Sequence, residues 1–325
     1  MTKKIVLIGN PVAGGGAYKK ICAAEAYMRN RGLEVDVMLT SRRGDAESFA
    51  KDAKVLPNTM VLAAGGDGTY NEVANGLLHS ETPMAILPLG TTSVLAREIG
   101  IPLNTREALE AALTGRAECV SLGRITYQPG SDLEKKPAVS RHFLLMAGLG
   151  YDGDAVYGVN VRLKNLSGQA AYVLSGLGAL IGYRPEELEI EATVKEPEDI
   201  KGGRFQVHRD HIQLTEGSLR ASGYIAIISK AAAYGGNFSI TPDADLKSPY
   251  LYVFLFHKKR KVDLMRLLMA IVSGRSLGLK DISYFRTEEI SIKGSCRMQI
   301  DGDYAGRAPA KIDVVKDAIK LIVPS

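Results

Sequence analysis

The chain has 325 residues, longer than one hydrophobic core ordinarily serves, so two domains are expected. With 46% hydrophobic and 24% charged residues it is globular, and its net charge of +5 suits an anionic membrane surface or anionic small molecules. That charge is too small to argue for a nucleic-acid partner. Cys22, Cys119 and Cys296 lie far apart without a Cys-x-x-Cys pair, which excludes a disulfide frame or a cysteine zinc site and fits a reducing, cytosolic setting. The opening Met1–Lys4 and Ile5–Ile8 look faintly like a leader, but the apolar run stops at Gly9-Asn10-Pro11 and reads as a strand. No apolar run reaches the roughly 18 residues of a membrane span.

In chain order, a strand over Lys4–Ile8 leads through Asn10–Gly16 into a helix from Tyr18 to Arg31. A strand over Leu33–Leu39 ends at Thr40, a helix covers Asp45–Ala53, and Met60–Ala63 is a short buried strand. A glycine-rich turn and a helix over Glu72–Leu78 follow. Met84–Leu89 is another buried strand, entering Gly90–Ser93 and a helix to Ile99. Repeated strand–helix units imply a mostly parallel sheet with helices on both faces. Ligands of such sheets bind beyond the carboxyl ends of the strands. Four loops meet that description: Asn10–Gly16, Thr40–Gly44, Gly65–Asn71 and Gly90–Ser93.

The most informative of these is Gly65-Gly66-Asp67-Gly68-Thr69-Tyr70-Asn71-Glu72. A strand turning through glycines into a helix N-terminus gathers unpaired N–H groups and the positive end of a helix dipole. Glycine lets the backbone approach a phosphate closely. Asp67 would repel phosphates unless a divalent cation or a transferring hydroxyl lies between them. The bland alternative is a Gly-Asp-Gly loop that merely turns the chain.

After about Leu122 the texture changes to short strand-like runs separated by turns: Phe143–Ala147, Ile190–Val194, Phe205–Val207, Tyr224–Ser229, Tyr250–Phe256, Glu289–Lys293 and Met298–Ile300. They predict an antiparallel β domain, interrupted by helices over Tyr157–Ile181 and Val262–Ser273. Gln128–Lys136 and Lys195–Gly203 read as polar loops.

The commoner nucleotide folds are excluded. A dinucleotide fold needs Gly-x-Gly-x-x-Gly after its first strand, but here Pro11 follows and removes an N–H donor. Gly14-Gly15-Gly16-Ala17 lacks the Lys-Ser/Thr of a phosphate-binding Walker loop. His208 and His211 would point to opposite faces of a strand and find no third ligand nearby, which argues against a metal pair.

Six motifs in order resemble one family, the lipid kinases with a diacylglycerol kinase catalytic domain, including bacterial diacylglycerol kinases and, more distantly, sphingosine and ceramide kinases. They are Asn10-Pro11-x-x-Gly14, Gly65-Gly66-Asp67-Gly68-Thr69-x-Asn71-Glu72-Val73, Pro88-Leu89-Gly90-Thr91, Ala147–Asp152, Gly235-Gly236 through Pro242-Asp243-Ala244, and Gln299-Ile300-Asp301-Gly302-Asp303. The resemblance spans Ile5 to Pro324. Its Gly-Gly-Asp-Gly core alone is shared with NAD kinases and phosphofructokinases.

The resemblance implies an N-terminal doubly wound α/β nucleotide-binding domain over residues 1–122, joined by the return of 312–325. A C-terminal antiparallel β-sandwich-like lipid-substrate domain would cover 123–311, with the active site in the cleft between them. It further implies ATP with Mg2+, and a lipid hydroxyl as acceptor, most plainly that of diacylglycerol. Asn10, Pro11, Gly14, Thr40, Gly65, Gly66, Asp67, Gly68, Thr69, Asn71 and Thr91 fall in its nucleotide-binding motifs, and Asp67 is the residue expected to meet the ATP-bound magnesium. Asp303 falls on its acidic general base, and Asp67 and Asp301 are the further catalytic candidates, although Asp301 could instead orient a backbone turn and Asp-Gly is a favoured hairpin turn. Asp152 is open between capping the next helix and catalysis.

The chain departs from the family in four places. Asp303 replaces Glu and reaches roughly 1.5 Å less far. Ser93-Val94 stands where many relatives have Asn-Asp, and Gly15 where some have Lys. Ser248-Pro249 replaces the Asp-Gly of the structural magnesium loop.

Two apolar stretches admit a membrane role. Tyr172, Val173, Leu177, Leu180 and Ile181 form a helical stripe that either packs in the core or lines an acyl groove. His257–Lys261 precedes the apolar helix Leu264–Val272, as a solvated loop or as a dock for anionic lipid. The expected setting is cytoplasmic, peripheral to the inner face of the membrane. The rival readings are a small-molecule kinase of NAD kinase type and a catalytically weak nucleotide- or lipid-binding regulator. Oligomeric state is not legible.

Overall fold

The computed structural model describes residues 4–129, 137–158, 183–194, 211–234, 238–273 and 280–324. Two compact units divide the chain: Met1–Leu122 with Lys316–Ser325, and Gly123–Val315.

The first unit is built on parallel strands. It contains β1 (Lys4–Gly9), α1 (Ala17–Asn30), β2 (Glu34–Leu39), α2 (Asp45–Ala53), β3 (Thr59–Gly65), α3 (Asp67–Gly76), β4 (Met84–Pro88), α4 (Val94–Glu98) and α5 (Thr105–Thr114). The strands lie in the order β2-β1-β3-β4, and the end of the C-terminal strand Ala310–Val323 joins β4 in parallel at Leu321. Ile5–Ile8, Met60–Ala64 and Met84–Leu87 are all 0% exposed. Continuous apolar runs of this kind are what strands covered on both faces require.

Two differences from the sequence reading have local causes. The third helix begins at Asp67 rather than Glu72, because only Gly65 and Gly66 are needed for the turn. Gly68 and Thr69 therefore belong to the first helical turn. The unforeseen α5 is started by Asn104, whose Oδ1 accepts the N–H groups of Arg106 (2.9 Å) and Glu107 (3.2 Å).

The second unit begins inside β5 (Arg116–Tyr127) and is antiparallel. It continues with β6 (Val139–Phe143), β7 (Met146–Gly150), α6 (Tyr151–Gly158), β8 (Leu188–Thr193), β9 (Ile212–Thr215), β10 (Ser218–Gly223) and β11 (Ile225–Ser229). The short pair β12 (Ala233–Tyr234) and β13 (Phe238–Ser239) precedes β14 (Leu251–Phe256) and a helix, α7 (Lys261–Val272). The last strands are β15 (Ile282–Thr287), β16 (Glu289–Lys293), β17 (Arg297–Ile300), β18 (Asp303–Arg307) and β19 (Ala310–Val323). One sheet runs β15-β14-β11-β7-β17-β18, and the first half of β19 pairs with β16, which continues through β8 and β10 to β9. A large apolar cluster, including Phe143, Leu149, Ile190, Leu219, Ile228 and Phe285, forms the main core of this unit, beside a small one of Ala244, Tyr252 and Tyr284.

The predicted strand Phe143–Ala147 is two strands. It breaks at Leu144–Leu145 because the N–H groups of Leu144, Leu145 and Met146 turn to a side chain, that of Asp301. The predicted strand Phe205–Val207, the stripe Tyr172–Ile181, most of the helix Tyr157–Ile181, Gly235-Gly236 and His208 lie outside the described residues.

Candidate active site

The parallel pairing of β1–β4 places the four loops predicted as a ligand site together at the carboxyl ends of the first unit's strands. They are drawn together by backbone contact. Asn10 N–H donates to Ala64 O (2.8 Å), Thr40 N–H to Gly9 O (2.9 Å), and Leu89 and Gly90 N–H to Gly65 O (2.8 and 3.0 Å). A Cβ on Gly14 would stand 2.4 Å from Leu89 O, and one on Gly90 would stand 2.9 Å from Gly66 Cα. These glycines are required by neighbouring loops. Gly68 differs: a Cβ there meets nothing within 4 Å. As an exposed first-turn residue of α3, its N–H has no intrahelical acceptor.

The polar side chains of the motif hold this cluster. Asn10 Oδ1 accepts Val12 N–H (3.1 Å), closing its own loop. Asp67 accepts Val94 N–H on Oδ2 (3.0 Å) and Leu95 N–H on Oδ1 (2.9 Å), locking the start of α4 against the start of α3. Burial pushes its carboxyl above the ordinary Asp range, and those N–H groups of Leu95 and Val94 pull it back. Thr69 is buried under Gly65, while Thr91 is exposed at the loop tip. Asn71 is buried and its Oδ1 accepts Asn75 Nδ2 (3.2 Å).

Two residues that sequence reasoning did not single out are also structural here. Tyr70 is 0% exposed and its hydroxyl donates to Gly65 O (2.8 Å) and approaches Leu87 O (3.2 Å). Glu72 accepts Gly44 N–H (3.0 Å) and Ala46 N–H (3.2 Å), capping α2. The only signal for either was its place inside the motif.

In the second unit, Asp301 and Gly302 form the turn between β17 and β18, with φ of 46° and 85°. Positive φ at both central positions is the two-residue hairpin geometry. Asp301 Oδ2 accepts Leu144 N–H (2.8 Å), and its Oδ1 accepts those of Leu145 (3.0 Å) and Met146 (2.9 Å). Both Asp301 oxygens thus serve the β6–β7 corner, the bonding of a residue that organises the turn. Asp303, the first residue of β18, is exposed.

Beside this turn lies a buried polar chain. Asp152, in the first turn of α6, accepts the Tyr234 hydroxyl on one oxygen and Gln299 Nε2 (2.6 Å) on the other. Gln299 Oε1 then accepts Gly302 N–H (2.7 Å). Asp152 therefore faces the hairpin rather than capping its helix. Burial pushes its carboxyl above the ordinary range, while the Tyr234 and Gln299 hydrogen bonds lower it. Gln299, the first residue of the sixth motif, is the link between Asp152 and the turn.

Residues 4–125 match the diacylglycerol kinase catalytic domain, and residues 146–323 match the YegS C-terminal NAD kinase beta sandwich-like domain. The chain belongs to the diacylglycerol kinase catalytic-domain family. It is therefore a kinase, a phosphotransferase with an alcohol acceptor. Within that family it is 27% identical to a diacylglycerol kinase of Bacillus subtilis, over 99% of this chain and 97% of the relative. A diacylglycerol kinase of Mycobacterium tuberculosis is 26% identical, with 99% and 95% covered. The fold agrees with that of a diacylglycerol kinase from Bacillus anthracis, at a TM-score of 0.68 and 21% identity over 99% of this chain and 97% of that one.

His257 leaves the predicted basic cluster. It is buried, with Nδ1 2.7 Å from Ser222 O and Nε2 2.7 Å from Ser283 Oγ. No helix among the described residues is long and apolar enough to cross a membrane. Among them there is also no group of three or more His, Cys, Asp or Glu side chains able to hold a metal ion.

Proposed function

We propose that the chain transfers the γ-phosphate of ATP to the hydroxyl of diacylglycerol, giving phosphatidic acid and ADP. The observation that carries this reading is the packing of four glycine-bearing loops at the carboxyl ends of the parallel strands, with the exposed Gly68 in the first turn of a helix. Such a site suits the phosphates of a nucleotide. Asn10, Pro11, Gly14, Thr40, Gly65, Gly66, Gly68, Thr69 and Thr91 are assigned to it. Asp67 builds the loop pair and lends its charge to a magnesium ion that would arrive with the nucleotide, the metal neutralising phosphate charge when bound. Asp303 is assigned to receive the lipid hydroxyl proton, with Asp301, Gln299 and Asp152 holding its turn. Transfer of this kind asks chiefly for positioning and charge neutralisation.

Diacylglycerol vesicles incubated with Mg·ATP should yield phosphatidic acid by lipid mass spectrometry. A panel adding sphingosine, ceramide and NAD separates the related chemistries. Phosphorylated NAD without phosphorylated lipid, or no product at all, would overturn the reading.

We also assign α7 to an anionic bilayer surface, which places the enzyme at the inner face of the membrane. Leu264, Leu267 and Ile271 bury one face of this helix, while Val262 (79% exposed), Met265, Met269 (67%) and Val272 form an outer apolar stripe. Lys259, Arg260 and Lys261 lie exposed at its start. A basic end beside an outward apolar stripe is the pattern of an interfacial helix, with about 1 kcal/mol per basic residue near an anionic surface. Vesicle binding should rise with anionic lipid and fall with salt and with Met269→Asp; indifference to all three would remove α7 from this role.

A further inference from the structure

Lys230, directly after β11, is 0% exposed. Lysine is almost never fully buried unless its charge is met. Here Nζ donates to three backbone carbonyls of one loop: Asp245 O (3.1 Å), Ser248 O (2.5 Å) and Tyr250 O (2.9 Å). An ammonium has three N–H bonds and no acceptor, so the set is matched one to one. The loop is closed around it by Ser248 N–H to Asp245 O (3.0 Å) and Lys247 N–H to Asp245 Oδ1 (2.8 Å). Burial lowers the lysine to about 8 against the opposing charge of Asp245, so the ammonium form prevails at neutral pH.

Converging carbonyl oxygens are how proteins hold hard cations. The family resemblance implies a structural magnesium at this loop, where Ser248-Pro249 replaces Asp-Gly. The residues present do not fit that ion. Magnesium demands about six oxygens near 2.1 Å and is usually held through a carboxylate, which Ser248-Pro249 does not supply. The centre of the three carbonyls is already filled by a positive charge. We propose that the Lys230 ammonium is a built-in substitute for the structural magnesium, so that the Asp245–Tyr250 loop needs no divalent cation. The substitute is covalently tethered and cannot be removed by a chelator.

The position matters to the rest of the unit. Lys230 N–H donates to Leu145 O (2.8 Å), and Leu145 N–H donates to Asp301 Oδ1 (3.0 Å). The lysine that organises the loop is thus one peptide away from the carboxylate that organises the Asp301–Asp303 turn. Any magnesium requirement of the enzyme then belongs to the nucleotide alone.

The test uses melting temperature of the full, nucleotide-free chain. Wild type should melt at the same temperature in EDTA and in millimolar MgCl2. Lys230→Met, which keeps the stem and loses the charge, should melt several degrees lower. Lys230→Ala empties the cradle, and methylammonium should restore part of its lost stability while leaving wild type unmoved. A saturable magnesium-dependent rise in wild-type melting temperature would overturn the proposal. So would Lys230→Met melting like wild type, or a destabilised Lys230→Ala that ignores methylammonium. If neither variant accumulates, the wild-type comparison still decides.

Discussion

Asp67 in the first unit and Asp301 in the second do the same work on different elements. Asp67 takes two N–H groups from the start of α4, and Asp301 takes three from the β6–β7 corner. Each carboxylate pins one backbone segment against another carrying the same motif's functional surface. They differ in what lies exposed beside them: at Asp67 the backbone of Gly68, proposed for phosphate, and at Asp301 the side chain of Asp303, proposed for the lipid hydroxyl proton. An acid inside a signature motif is therefore as much a scaffold as a reagent.

The sharpest break in that comparison lies within the second unit's turn. Asp303→Asn keeps size and removes basicity, so kcat should fall about 10²–10⁴-fold, the scale of general base loss, with melting unchanged. Asp301→Ala should instead lower stability, since orphaned N–H groups cost about 1–3 kcal/mol each when buried. If Asp303→Asn keeps its kcat while Asp301→Asn loses it at unchanged stability, the base is the other carboxylate of the turn.

Asp67→Ala should both abolish turnover and destabilise by about 2–4 kcal/mol, because Val94 and Leu95 lose their acceptor. From sequence alone this variant would be expected to keep its stability; the structure makes it an architectural lesion as well. Melting like wild type would return Asp67 to the role of a free metal partner.

How much was legible in the sequence follows from which interactions are local. The parallel unit was readable because its strands are uninterrupted apolar runs and its loops carry glycine. Asn104 and α5 were readable in principle from the cap. The break at Leu144–Leu145 was not, because the partner that causes it is Asp301, far along the chain. Lys230 was invisible for the same reason: a lysine ending the run Ile225–Ser229 looks like a strand edge until the Asp245–Tyr250 carbonyls close over it. The motifs contained Asp67, Asp301 and Glu72 but could not say that their oxygens face backbone.

Glycines sharpen the same division between scaffold and reagent. Gly68→Ala should hold or slightly raise stability, since the space is open and Ala gains about 0.8–1.0 kcal/mol of helix propensity over Gly. If phosphate approaches that N–H, the added methyl should raise KM for ATP about tenfold, roughly 1.4 kcal/mol. Gly65→Ala is the control for packing, since its Cβ would stand 2.4 Å from Thr69 Oγ1 and stability should fall. Unchanged KM in Gly68→Ala would move the phosphate away from the start of α3.

The smallest effect concerns pH and the buried chain behind the turn. Burial holds the Asp152 carboxyl above the ordinary 3.8, with the Tyr234 and Gln299 hydrogen bonds opposing. The folded state therefore binds this proton more tightly than the unfolded chain does. Between the ordinary value and the raised one, stability must fall as pH rises, and it levels once both states are ionised. Asp152→Asn cannot titrate, so the stability of wild type relative to this variant should decline upward from about pH 4 until the folded carboxyl is ionised as well. The variant also tests the link to the turn. Its amide keeps only one of the two acceptor oxygens: wherever its NH2 faces Gln299 Nε2, Gln299 has to turn over and Gly302 N–H loses Oε1 as its acceptor, whereas an NH2 facing the Tyr234 hydroxyl leaves that link in place. In the first orientation activity should drop modestly while the affinity for ATP stays unchanged. A pH-independent difference in stability would mean that Asp152 is solvated, and an unaffected kcat in that orientation would uncouple the chain from Asp303.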